Sequence, residues 1–151
     1  MLILRRAFQL AAVAVGVFAF TPGRAADLDP KAITITLPEN IQWKKGPNQD
    51  TAALVGDPSK PGIYIQLLRW HAGNNSRPHF HSTDRYITVL SGNWYMGTGA
   101  KYDHEGMKPL PAGSFVIHHA NEIHYDGAIG QDCVLYIVGT GPVATTQAEQ
   151  K

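Results

Sequence analysis

From Ile33 onward the chain runs in short apolar or alternating stretches separated by clusters of Gly, Pro, Asn and Asp. That is the pattern of a sandwich or barrel of antiparallel strands joined by tight turns. The stretches predict strands over residues 32–37, 41–44, 52–55, 62–70, 85–90, 93–97, 115–118 and 133–138, with shorter ones around His79 and His124. No stretch repeats its apolar positions at the helical period. Residues 98–109 read as a polar loop and 141–151 as a mobile tail, which leaves a single domain over 27–140.

The first 26 residues break this pattern. Arg5 and Arg6 precede an apolar run over 7–20, and small residues at Gly23 and Ala25 follow it. This is the layout of an export signal cleaved after Ala25 or Ala26. The apolar run is about 14 residues, shorter than the ~18–20 of a bilayer span, so no permanent membrane anchor is expected and the mature protein is periplasmic or secreted. The segment LRRAFQL also resembles, in part, a twin-arginine signal, which would carry a folded and already metallated protein.

Composition narrows the picture only slightly. The 151 residues suit one domain with a real core. The formal charge of +1 loses Arg5, Arg6 and Arg24 with the signal, leaving ten basic against twelve acidic residues, so no nucleic-acid partner is expected. Cys133 is the one cysteine, so an internal disulfide is ruled out, and its apolar surroundings suit a buried small side chain.

The chemistry concentrates in histidines. On a strand His79 and His81 project to one side, about 7 Å apart along the chain, a spacing from which two imidazoles can converge on one ion. Gly73, five residues, His79, one residue, His81, three residues, Arg85, six residues and Gly92 resemble the first motif of the cupin superfamily, except that Arg85 stands where a glutamate is usual. The stretch from Gly113 to His124 resembles the second motif, with His119 in place of a proline and Asn121 in place of a glycine. Asn tolerates a left-handed turn better than other non-glycine residues.

The resemblance implies an all-β fold, a double-stranded β-helix or jelly-roll cupin barrel with a metal in its mouth. It implies that His79, His81 and His124 bind one divalent ion (Fe, Mn, Zn, Cu or Ni), a neutral set similar to that of cysteine dioxygenase-like and gentisate dioxygenase-like cupins. Ligand type alone does not select the metal. The activity so implied is a metal-dependent dioxygenase acting on a small anionic molecule. Other cupin roles remain open: an isomerase or decarboxylase, a non-catalytic periplasmic carrier or sensor, and a metal-free barrel. Cupins often pair, so a homodimer is a further implication.

Arg85 shares parity with His79 and His81 and, if the strand has no bulge, faces the interior with Thr83, Ile87 and Val89. A buried guanidinium needs an anion. That anion is either a substrate oxyanion or an internal acid such as Asp126 or Glu122, while a bulge would bring Asp84 inward as a replacement ligand. Of His118 and His119 only one can face inward, and His119, in the motif's proline slot, is the candidate for proton transfer. Tyr64, Gln66, Leu68 and Trp70 alternate along one strand, with Tyr64 a second catalytic candidate. His71, His104, Asp103 and Glu105 have no motif support, and the loop holding the last three is a candidate lid.

Overall fold

The computed structural model describes residues 27–150, so the export signal lies outside the described residues. The chain divides into two compact units after Ile35. In the first, the Ala32 and Ile33 amides donate to the Asp29 carbonyl at 3.0 and 3.1 Å, a turn rather than the strand expected from residue 32. The second holds a 3-10 turn, Pro38–Asn40, and eleven strands: β1 Gln49–Val55, β2 Gly62–Trp70, β3 Asn74–Asn75, β4 His79–His81, β5 Arg85–Ser91, β6 Asn93–Thr98, β7 Lys108–Pro111, β8 Phe115–His118, β9 His124–Ala128, β10 Cys133–Gly141 and β11 Thr145–Gln147. Among the described residues no helix is long and apolar enough to cross a membrane. The strand expected over 41–44 is reduced to a single bridge, Lys44 with Thr51.

The strands form two antiparallel sheets, one ordered β1-β2-β10-β5-β8 and the other β11-β4-β9-β6-β7, with β3 against β9. Alternation along each strand supplies the core. Leu135 and Ile137 of β10 pair with Val89 and Ile87 of β5. All four are about 1% exposed, and each contributes on the order of 1.5–3 kcal/mol by leaving water. Trp94 from β6 closes the core from the opposite sheet and is fully buried. Cys133 is buried too, which pushes its thiol up to about 12, as suits a small packing residue rather than a nucleophile.

Two further segments differ from the sequence expectation. The polar loop ends earlier than 109, because Lys108–Pro111 pairs with β6 as the outermost strand of its sheet, where Pro109 and Pro111 cost few ladder bonds. The supposed mobile tail instead continues β10 to Gly141 and then forms β11, which pairs with β4 so that Thr145 lies opposite His81 and Gln147 opposite His79. An ion pair between Arg77 and Glu149 and a bond from the Ala148 amide to the Pro78 carbonyl hold it there.

Candidate metal centre

β4 and β9 lie side by side with His79 opposite His124. His81 is two residues on from His79 and so on the same face, and all three imidazoles are buried. Each offers a ring nitrogen within 4.8 Å of the others, so these three could hold a metal ion.

What the second ring nitrogens do decides which atoms face inward. His79 Nδ1 is 2.8 Å from the Arg77 carbonyl and His124 Nδ1 is 3.0 Å from the Glu122 carbonyl. A carbonyl only accepts, so both Nδ1 atoms carry the proton and both Nε2 atoms present a lone pair. His81 Nδ1 is 3.0 Å from Thr145 Oγ1, and its Nε2 accepts from Arg85 Nη1 at 2.5 Å, which fixes the same tautomer. Holding the far nitrogen by hydrogen bond is how metal-binding imidazoles are oriented. His124 Nε2 is buried with no partner, an acceptor left for a cation. Sequence reasoning missed Thr145, because it belongs to the presumed tail.

The other sheet faces this triad with a single row. Tyr64 on β2, Gly139 on β10, Arg85 on β5 and His118 on β8 are successive register partners. Gly139 is required: a Cβ there would meet Tyr64 Oη at 2.5 Å. The missing side chain lets the phenol lean toward Arg85. Burial raises the Tyr64 phenol above its ordinary value, and the Arg85 guanidinium partly offsets this. Arg85 thus faces inward, in a cavity of about 430 Å³ that Tyr64, Gln66, Leu68, Trp70 and Asp126 also line. Its Nε is buried without a partner, and it forms no ion pair among the described residues.

Neither suggested internal acid neutralises Arg85. Asp126 is committed elsewhere: Oδ2 accepts from Trp94 Nε1 at 2.9 Å and Trp70 Nε1 at 3.3 Å, and Oδ1 from Ser76 Oγ at 2.8 Å. Glu122 is exposed on the turn before His124. Asp84 is not a substitute ligand either, since Oδ1 accepts from the Ala120 amide at 2.7 Å and ties down the turn after β8. Asn121 in that turn has φ 64°, as the motif required of the residue replacing glycine.

His119 is corrected by the structure. It follows the end of β8, is exposed and does not line the cavity; the inward residue is His118, 4% exposed. The His118 ring lies 3.7 Å from that of His124 and 5.3 Å from that of Trp94, and neither of its nitrogens has a partner. Thr83 also leaves the expected face, its hydroxyl donating to the Thr140 carbonyl at 3.0 Å. His71 clips the edge of the barrel instead of joining the site, with Nε2 3.1 Å from Asp50 Oδ1. His104 pairs with Glu105, and no residue of the candidate lid lines the cavity.

Burial pulls both His118 and His81 down to about 2, with Arg85 and the neighbouring imidazoles adding to the effect. These rings stay neutral in the fold but protonate from about pH 6.5 downward once unfolded, so below that pH the unfolded state binds more protons. Stability is therefore full above about pH 6.5 and falls as pH drops toward 2. Thermal melts of metal-free protein should show the midpoint declining from about pH 6.5 to about 4.5, and less steeply for His118→Leu. A flat midpoint over that range would contradict the burial argument.

Two antiparallel sheets rolled around a histidine cluster make a double-stranded β-helix, the fold that RmlC-like cupins also have, here with three buried imidazoles that could hold a metal ion. Neither a protein-family model nor a curated protein matches the sequence. Similar solved structures include the polyketide cyclase RemF from Streptomyces resistomycificus, 14% identical, covering 79% of this chain and 87% of that one with a TM-score of 0.65. The DMSP lyase DddQ from Ruegeria pomeroyi is 14% identical, covering 74% of this chain and 64% of its own, at TM-score 0.56. An RmlC-like cupin from Ralstonia eutropha is 19% identical, with 76% and 74% covered and a TM-score of 0.55. These likenesses establish the fold.

Proposed function

We propose that this protein is an exported metalloenzyme that holds one divalent ion on His79, His81 and His124 and acts on a small oxyanion gripped by Arg85. The observation that carries this reading is the facing of three lone pairs whose far nitrogens are already hydrogen-bonded, beside a guanidinium with no internal carboxylate. An ion held there supplies a Lewis acid, and with iron also the redox chemistry that joins a substrate to O2. Arg85 orients the substrate through the paired donors of its fork. Tyr64, protonated at neutral pH, is placed to hand its hydroxyl proton to a developing anion, and neutral His118 to accept one. The core side chains Leu68, Ile87 and Leu135 exclude water from the inner wall of the cavity.

The reaction we infer is a dioxygenation, in which both atoms of O2 enter the product and no external reductant is consumed; the similarity of the neutral ligand set to that of the dioxygenase-like cupins supports it. A non-redox elimination or cyclisation is the second reading, favoured by the cyclase and lyase among the similar structures. The export-signal pattern of residues 1–26 supports a reaction outside the cytoplasm. Phe115 at 62% exposed, with Leu90, Tyr86 and Ile117 beside it, gives the five-stranded sheet an apolar outer face suited to a second copy of the chain.

Protein loaded with Fe(II) under argon and then supplied with O2 should consume oxygen when aromatic or thiol carboxylates are added. Turnover that proceeds equally without oxygen would select the elimination or cyclisation reading. Binding without turnover across Fe, Mn, Ni, Cu and Zn would sink the enzyme reading in favour of a carrier or sensor.

A further inference from the structure

We propose that Arg85 couples the two ligands of the site, so that an oxyanion and a divalent metal ion bind with positive cooperativity. This rests on the reading of the triad as a metal site. His81 Nε2 has one lone pair, and Arg85 Nη1 takes it at 2.5 Å. The other nitrogen of that ring is committed to Thr145, so His81 cannot serve the guanidinium and a metal together. A metal ion must displace Arg85, and the two positive charges also repel.

Where the displaced guanidinium goes sets the energetics. Its Nε is already buried without a partner, and among the described residues it forms no ion pair. Asp126 lines the same cavity, but three donors already occupy its carboxylate. Moved off His81, Arg85 is a cation facing a dication with no free carboxylate to compensate it, an expensive state in a partly desolvated cavity. A carboxylate or similar oxyanion satisfies the fork in two parallel bonds and neutralises it. The anion therefore draws Arg85 from His81 and frees the third ligand. By linkage the metal strengthens anion binding by the same factor.

The test uses Co(II), whose visible spectrum reports its coordination directly, with formate, acetate or benzoate as the anion. Wild-type protein should bind Co(II) at least tenfold more tightly in saturating anion than in its absence. Arg85→Gln should bind Co(II) at least tenfold more tightly than wild type without anion, and its affinity should not respond to the anion. Arg85→Met, which removes the charge without adding a polar group, should behave alike and guards against a folding defect in the first variant. Equal wild-type affinity with and without all three anions overturns the coupling and leaves the metal site standing. Weaker Co(II) binding in both variants, or an anion effect that survives in them, overturns the role of Arg85. Failure of wild type to bind Co(II) under any of these conditions overturns the metal reading and this inference with it.

Discussion

Replacing Asp126 by alanine is expected to lower the stability of the barrel by roughly 3–5 kcal/mol. The carboxylate is 7% exposed and accepts from two indoles, one on each sheet, as well as from Ser76. Truncation leaves the Trp70 and Trp94 N–H groups without acceptors, each a cost of ~1–3 kcal/mol, and opens space beneath the core. Ser76 loses a partner too, and its hydroxyl is what the Asp126 amide donates to at 2.8 Å. Asp126→Asn should be milder, since one oxygen still accepts while the new amide hydrogens face donors. Urea unfolding followed by tryptophan fluorescence gives the difference directly. A loss under ~1 kcal/mol for the alanine variant would mean that the indoles find other partners, and that Asp126 does not join the sheets.

Much of this site was legible because metal ligation imposes spacing. His79, His81 and His124 come together as their positions in the two motifs implied, and Asn121 takes the left-handed turn. The bounds of β2 and β8 match the apolar runs that predicted them. One error arose because hydrophobicity marks a strand face only where the inner face is the apolar one. Along β8 the order is reversed: Phe115 and Ile117 are exposed while His118 is buried. Counting parity could have selected His118, but the motif slot pointed to its neighbour. β11 carries no signal of either kind, since Thr145, Thr146 and Gln147 are all exposed and their pairing with β4 is made by the backbone. β7 contains two prolines, which argue against a strand until its place at the sheet edge is known. Arg85 was open between an internal acid and an external anion, and only the neighbours of Asp84, Asp126 and Glu122 separate those cases.

His124→Ala is expected to reduce metal affinity by more than roughly a hundredfold, beyond the 10–100-fold that follows loss of a hydrogen bond to a ligand. Two imidazoles on one short strand cannot enclose an ion as three can, and the cavity supplies no free carboxylate to replace the third. The fold should tolerate the change. His124 Nε2 has no hydrogen-bond partner to lose, and the ring makes its one bond to the carbonyl of Glu122 in the adjoining turn. Circular dichroism and a melt of the metal-free variant would verify that its barrel is intact.

His79, His81 and His124 are proposed to form one metal site. Elemental analysis of the purified protein, after exposure to excess divalent metal and gel filtration, tests it for wild type and His124→Ala side by side. The expected result is about one metal ion per wild-type chain and almost none in the variant. Wild-type protein without stoichiometric metal, or a variant that retains as much as wild type, would contradict it.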